Sequence, residues 1–298
     1  MTRKAQCIVL IGFCCAFLSA CSNPSGTGTE PAASNPEAAD LRLITLSPHL
    51  AELVFAVGAG ESLVGVSAHT DYPVAAASLP VIGDAFNLDQ ERLALLEPDL
   101  LLAWDTGTPA HVVDEIRARG YRVEVVTTTA LTDVPRALER IGALTGREAI
   151  AGRAARKFDT RLDALRARMA GASAITVFYQ VDARPLYTIN GEHYVSELIE
   201  ICGGDNIFAD LGGLAPLVSV EAVIERNPEV MLASTDAGPA VFAAWQRWPE
   251  VAANRYGNHF RMPADEIGRA TPRLLVAAEA VCNALEVSRQ NREAKGDD

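Results

Sequence analysis

Two stretches of this chain match each other at an offset of 130 residues. Glu91-Arg-Leu-Ala-Leu-Leu-Glu-Pro98-Asp-Leu-Leu-Leu-Ala103 stands beside Glu221-Ala-Val-Ile-Glu-Arg-Asn-Pro228-Glu-Val-Met-Leu-Ala233, with glutamate, proline and alanine in register. In each copy a helix is predicted to begin near the glutamate. The proline ends it, because its ring removes a backbone donor and clashes with the preceding turn, and a buried strand follows. Two lobes of similar plan produce such a repeat, and 298 residues are enough for both. Such lobes meet in a cleft, and domain interfaces are where small ligands usually bind.

The surrounding pattern predicts an α/β chain with parallel sheets. Strands are expected at 43–46, 63–67, 99–104 and 122–127, with helices at 89–96 and 109–119. Ser47-Pro48 reads as a helix opening, with serine as N-cap and proline at the first helical position; Gly58 stops that helix. From Arg147 to Ala170 apolar residues recur at three and four (Ile150, Ala154, Phe158, Leu162, Leu165, Met169) without a proline. This reads as a rigid strut joining the lobes, against the alternative of an ordinary surface helix. Alternation then resumes, with strands at 174–180 and 229–233 and a short extended piece at 185–189. Helices are expected at 193–202, 219–226, 240–245 and 271–285.

The N-terminus is a separate object. Arg3 and Lys4 precede an uncharged apolar run from Cys7 to Ala20, shorter than the ~20 residues a spanning helix needs and shaped like a secretory signal. Leu18-Ser19-Ala20-Cys21 resembles the lipobox of bacterial lipoproteins, which implies cleavage before Cys21 and a lipid on its thiol. Residues 22–39, rich in Ser, Pro, Gly, Thr, Asn and Ala, read as a flexible tether. The expected organisation is therefore signal peptide 1–20, lipidated cysteine and tether 21–40, N-terminal lobe 41–146, bridging helix 147–171, C-terminal lobe 172–290 and disordered tail 291–298. The body works at a membrane surface, held by its lipid alone.

Export places the chain in an oxidising space. Of six cysteines, three leave with the signal and Cys21 takes lipid, so Cys202 and Cys282 remain. They suggest one disulfide, against the alternative of two buried thiols, and are too few for a structural zinc site. Removing residues 1–20 deletes two cations and no acid, taking the formal net charge from −12 to −14. So acidic a surface excludes nucleic acid as a partner and favours a basic one.

Several motifs point further. Residues 44–58 (Ile-Thr-Leu-Ser-Pro-His-Leu-Ala-Glu-Leu-Val-Phe-Ala-Val-Gly), Val64-Gly-Val-Ser67, Asp71-Tyr-Pro73 and Glu97-Pro-Asp-Leu-Leu-Leu-Ala-Trp104 resemble the opening half of periplasmic cobalamin-binding proteins. Ile201-Cys-Gly-Gly-Asp-Asn-Ile-Phe208, Arg269-Ala-Thr-Pro-Arg273 and Val281-Cys-Asn-Ala-Leu285 resemble their second half. This resemblance, to the lipoprotein form of the helical-backbone class of solute-binding proteins, implies two Rossmann-like lobes bridged by one long rigid helix, with little hinge motion. It implies a Cys202–Cys282 disulfide. It also implies that Glu91 and Glu221 dock into arginines on the two transmembrane subunits of an ABC permease driven by its ATPase. One carboxylate per lobe suits a two-fold partner and the fork of an arginine; the plainer reading is a carboxylate complementing a helix dipole.

For the ligand, the resemblance implies cobalamin or a related corrinoid held by a monomer, with no cofactor and no resident metal. The expected cleft residues are His49, His69, Trp104, Tyr187, Asp265 and Arg269. His69 stands where the family often has tyrosine, and either hydrogen-bonds at the rim or ligates a macrocycle's metal. Ala85-Phe86 and Ala215 replace expected tryptophans, and Glu266 and Ile267 replace aromatics, so the cage is thin. His193 and His259 read as structural. A ferric siderophore or haem is the alternative ligand: the first calls for cleft cations (Arg184, Arg261, Arg269, Arg273), the second for a Tyr or His axial ligand. Catalysis is not expected, since there is no Gly-x-Ser-x-Gly, no His-Glu-x-x-His, and Gly58-Ala-Gly60 lacks a third dinucleotide-loop glycine.

Overall fold

The computed structural model describes residues 41–296. The signal peptide, the Cys21 anchor and the tether read in residues 1–40 lie outside the described residues. The N-terminal lobe runs β1 (Leu43–Thr45), α1 (Pro48–Ala56), β2 (Leu63–Gly65), α2 (Val74–Ala77), α3 (Gln90–Leu95), β3 (Leu100–Trp104), α4 (Ala110–Ala118), β4 (Val123–Val126) and α5 (Asp133–Thr145). A 22-residue helix, α6 (Glu148–Met169), follows. The C-terminal lobe runs β5 (Ile175–Gln180), β6 (Asp182–Ala183), β7 (Leu186–Tyr187), α7 (Tyr194–Ile201), β8 (Gly204–Asn206), α8 (Val220–Arg226), β9 (Val230–Ser234), α9 (Ala252–Tyr256), β10 (His259–Met262), α10 (Ala264–Gly268) and α11 (Leu274–Ala294).

Each lobe holds one parallel four-stranded sheet, in the orders β2-β1-β3-β4 and β10-β9-β5-β8. Counted by appearance within its own lobe, either sheet runs second, first, third, fourth. The repeat underlies this likeness. Asp89 and Ser219, again 130 residues apart, cap α3 and α8 by accepting from the Arg92 and Ala222 amides. Glu97 (φ 42°) and Asn227 (φ 45°) then take left-handed turns before the matching prolines. Asp99 and Glu229 accept from the amides of Arg42 and Thr176, each at 2.8 Å, so each β3-type strand is fastened to the first strand of its lobe.

Side chains alternate across these strands, as period two requires. Leu43, Leu100 and Leu102 of the first sheet and Val177, Tyr179, Val230 and Leu232 of the second join one continuous core. That core includes Ala151, Ala155, Phe158, Leu162 and Leu165 of α6. The opposite faces close separately, around Ile44, Leu101 and Ile116 in one lobe and Phe178, Met231 and Trp245 in the other. Because α6 is packed into both lobes, bending the molecule about it would open apolar contacts at a cost of about 25 cal/mol per Å².

The chain differs from the sequence expectation in several places. Helix α5 lies outside the expected elements, although Val134, Ala137, Leu138 and Ile141 bury one face of it and its Pro135 sits in the first turn, where proline is tolerated. Strands β8 and β10 also lie outside the expected elements; their Gly-Asp-Asn and His-Phe-Arg-Met sequences carry little apolar pattern. Residues 243–247 form a 3₁₀ turn rather than an α-helix. Helix α11 continues to Ala294, so residues 291–294 of the expected tail are helical. Arg289 explains this by donating to the carbonyls of Ser173, Cys202 and Gly203, and Arg292 by reaching Ala174 and Glu229. Cys202 and Cys282 form a buried disulfide tying the end of α7 to α11.

Candidate functional site

The carboxyl ends of parallel strands are where ligands settle in open α/β sheets. In the N-terminal lobe that edge holds a depression of about 450 Å³ lined by residues that include Leu46, Pro48, His69, Asp84, Phe86 and Trp104. Its fixed point is Trp104, the last residue of β3. The loop after it is closed by two bonds, Thr108 N to Trp104 O at 2.9 Å and Trp104 N to Thr108 Oγ1 at 3.1 Å. Gly107 lies against the indole so closely that a Cβ there would stand 1.9 Å from the ring. Behind the indole is His49, edge-on at 5.0 Å between ring centroids.

His49 is buried, with Nδ1 2.6 Å from Ser47 Oγ and Nε2 3.4 Å from Thr128 Oγ1. Burial, helped by the charge of Arg269, pushes its pKa down to about 3, so the ring is neutral at physiological pH. Ser47 was expected to cap α1 with its side chain. It makes no such bond, because its hydroxyl is turned to His49. The expected cleft histidine is thus a prop beneath Trp104.

The matching edge of the C-terminal lobe is different. There a depression of about 730 Å³ is lined by Gln180, Asp182, Arg184, Ser234, Asp236 and Val241, among others. Ser234 is the residue 130 positions beyond Trp104. Gln180 is held by the Trp245 indole N–H, which donates to its Oε1 at 2.7 Å. Tyr187, expected in the cleft, sits part-buried in the β6–β7 hairpin with a bridge to Leu217, and lines neither depression.

Between the lobes lies a knot of charge the sequence did not reveal. Glu52, on α1, is 4% exposed. Its Oε1 accepts from Arg269 at 2.9 Å and Arg273 at 3.1 Å, and its Oε2 from the Thr271 hydroxyl at 3.0 Å. Arg269 also binds Asp71 at 2.6 Å and Asp265 at 3.0 Å, and Arg273 binds Glu266 at 2.5 Å. Hydrogen bonding from Arg269 holds the Asp71 carboxyl below its ordinary value. Arg269, expected to face ligand, is therefore engaged in fastening one lobe to the other, and Asp265, also expected there, pairs with it from within the same lobe. A signal was present: Glu52 is a lone carboxylate in the apolar run 50–57, and a buried charge needs partners. Two further bonds cross the seam, Tyr194 N to Thr129 O at 3.0 Å and Leu131 N to Glu197 Oε1 at 3.0 Å.

Glu91 and Glu221 stand exposed in the first turns of α3 and α8. His193 caps α7, accepting from the Val195 amide, and burial pushes its pKa down to about 4. His259 is stacked on Phe242, and burial lowers its pKa as well.

Comparison with known proteins gives a consistent result. Residues 43–266 match the family model described as periplasmic binding protein. The vitamin B12-binding protein of Vibrio parahaemolyticus is 34% identical over 253 residues, covering 84% of this chain and 91% of that one. The protein of that name from Yersinia pestis is 34% identical over 255 residues, covering 84% and 88%. The crystal structure of the periplasmic vitamin B12 binding protein of Vibrio cholerae superposes with a TM-score of 0.76 at 33% identity, over 83% of this chain and 97% of that one. A periplasmic heme-binding protein from a Roseiflexus species superposes at 0.73 with 22% identity, over 84% and 99%, and shares the fold.

Proposed function

The chain belongs to the periplasmic binding protein family and is a binding protein rather than an enzyme, and on that premise we propose that it captures cobalamin or a related corrinoid between its lobes. The observation that carries this reading is the pair of unlike walls at the strand ends. The Trp104 side offers an indole face with Phe86 and Leu46, suited to the flat apolar surface of a macrocycle. The Gln180 side offers amide, carboxylate and guanidinium groups, suited to a corrinoid's amide-bearing rim. The names of the relatives at 34% identity agree with this choice.

A ferric siderophore is the weaker reading. Two of the four cations it would use, Arg269 and Arg273, are already neutralised by Glu52, Asp71, Asp265 and Glu266. Titration of the soluble body with cyanocobalamin and dicyanocobinamide by calorimetry is expected to give one corrinoid per chain. Silence with both, alongside binding of haem or a siderophore, would overturn the assignment.

The captured ligand is delivered to an ABC permease and its ATPase from the periplasm, with Cys21 holding the protein to the membrane by lipid. Glu91 and Glu221 are the docking carboxylates, placed identically in the two lobes. On α3 an exposed leucine, Leu95 (82% exposed), stands one helical turn after Glu91, so that patch joins an acid to an apolar knob. Combining Glu91→Ala with Glu221→Ala is expected to abolish corrinoid uptake while leaving affinity intact. Equal loss of affinity would show that these residues serve the ligand instead.

A further inference from the structure

Among the described residues, three that are not glycine have positive φ: Glu97, Asn227 and His69. The first two end matched helices before prolines. His69 (φ 64°) ends nothing; it stands on the loop between β2 and α2. A non-glycine residue held left-handed away from a helix end is a strained position that the surroundings must impose, and such positions gather at ligand clamps. The surroundings here are specific. Thr70 Oγ1 donates to Ser67 O at 2.8 Å, and Arg269 of the other lobe donates to His69 O at 3.5 Å while bound to Asp71 two residues on. The inter-lobe knot thus sets the His69 backbone.

The imposed conformation leaves the residue exposed on the lining of the Trp104 depression. Its ring makes no hydrogen bond to the described residues. The Asp84 carboxyl, on the same lining, is held below its ordinary value by the Phe86 and Asn87 amides and, to a smaller extent, by the charge of His69. The His69 ring and the Asp84 carboxyl thus share one wall of the Trp104 depression. One imidazole is too few donors for a bare ion, so any metal it takes must arrive with its other positions filled.

We propose that His69 is an axial ligand to the metal of the bound macrocycle, on the face turned toward the N-terminal lobe. This rests on the corrinoid reading above. The step is a ligand exchange. A neutral imidazole nitrogen gives its lone pair to cobalt as the bond from cobalt to a coordinated water breaks; the water leaves intact, and the metal keeps its oxidation state. A corrinoid whose axial position is capped by cyanide does not undergo it.

Calorimetry and absorption titration of aquocobalamin, diaquocobinamide, cyanocobalamin and dicyanocobinamide would test this with the native chain and with His69→Asn and His69→Gly. Both replacements accept a left-handed backbone, so the loop is retained. The native chain is expected to shift the aquo spectra to those of the same corrinoids mixed with free imidazole. It is also expected to prefer aquo to capped forms. Both variants should still bind but lose the shift and the preference. An unchanged aquo spectrum on the native chain, or a shift that survives in both variants, would overturn the assignment while capped forms continued to bind. Failure of all four corrinoids to bind would remove the capture reading itself, and this inference with it.

Discussion

Trp104 and Ser234 end equivalent strands of the two lobes, in the same register, after the same capped helix and the same proline. The backbone treats the two positions alike; the side chains do not. One lobe closes its strand edge with an indole braced by His49 and Gly107, and the other presents a serine beside Gln180 and Asp236. The lobes differ again in how they are held. The C-terminal lobe carries the Cys202–Cys282 disulfide, whereas no disulfide is found among the described residues of the N-terminal lobe. A repeated scaffold has thus kept what the fold requires and diverged at the strand edges and in its covalent tie.

The largest expected effect tests the second difference. Replacing both Cys202 and Cys282 by alanine opens a loop of 80 residues and should cost about 4 kcal/mol of unfolding free energy on the chain-entropy model. Because one core runs through both lobes, urea unfolding should remain a single transition. Two separated transitions would show that the lobes are energetically independent.

Next comes the knot that joins them. Glu52→Gln removes a buried charge facing two arginines, which still keep Asp71, Asp265 and Glu266. A loss of about 3 kcal/mol in denaturant unfolding is expected, with faster release of corrinoid. A stable variant with unchanged release would mean the lobes need no such fastening. A smaller effect is expected on the walls. Trp104→Leu should weaken corrinoid binding by roughly tenfold, about 1.4 kcal/mol, while Ser234→Ala should change it far less; equal losses in calorimetry would erase the contrast between the walls.

The pH dependence is spread over several units. His49 has its pKa lowered to about 3 in the fold from an ordinary 6.5, so between those values the unfolded chain binds the proton and the folded chain does not. Stability from this residue is complete above pH 6.5 and is lost as pH falls toward 3, at no more than about 1.4 kcal/mol per pH unit. His193 adds a loss of the same sign between 6.5 and about 4. Urea midpoints for His49→Gln should fall less steeply with acid than those of the native chain. A parallel slope would mean that His49 already carries charge in the fold.

Much of this architecture was legible in sequence. The 130-residue repeat announced two lobes because proline and capping signals act within a few residues of themselves. The apolar spacing of 150–169 announced α6, since a helix buried along one stripe must repeat at three and four. Helix α5 carries the same kind of stripe, from Val134 to Ile141. Strands β8 and β10 are a different matter: their pairing to β5 and β9 supplies the order that their polar residues do not encode.

Local sequence determined most of the helices and strands, where most of them stop, and that the chain is built twice. Only the tertiary structure decided that Arg269 binds Glu52 217 residues away, that His49 lies under Trp104, and that His69 is turned left-handed above the same depression. Capping, proline stops and periodicity are short-range forces, readable from neighbours. Charge pairing and burial depend on which distant groups share a low-dielectric space, and that is settled when the chain has folded.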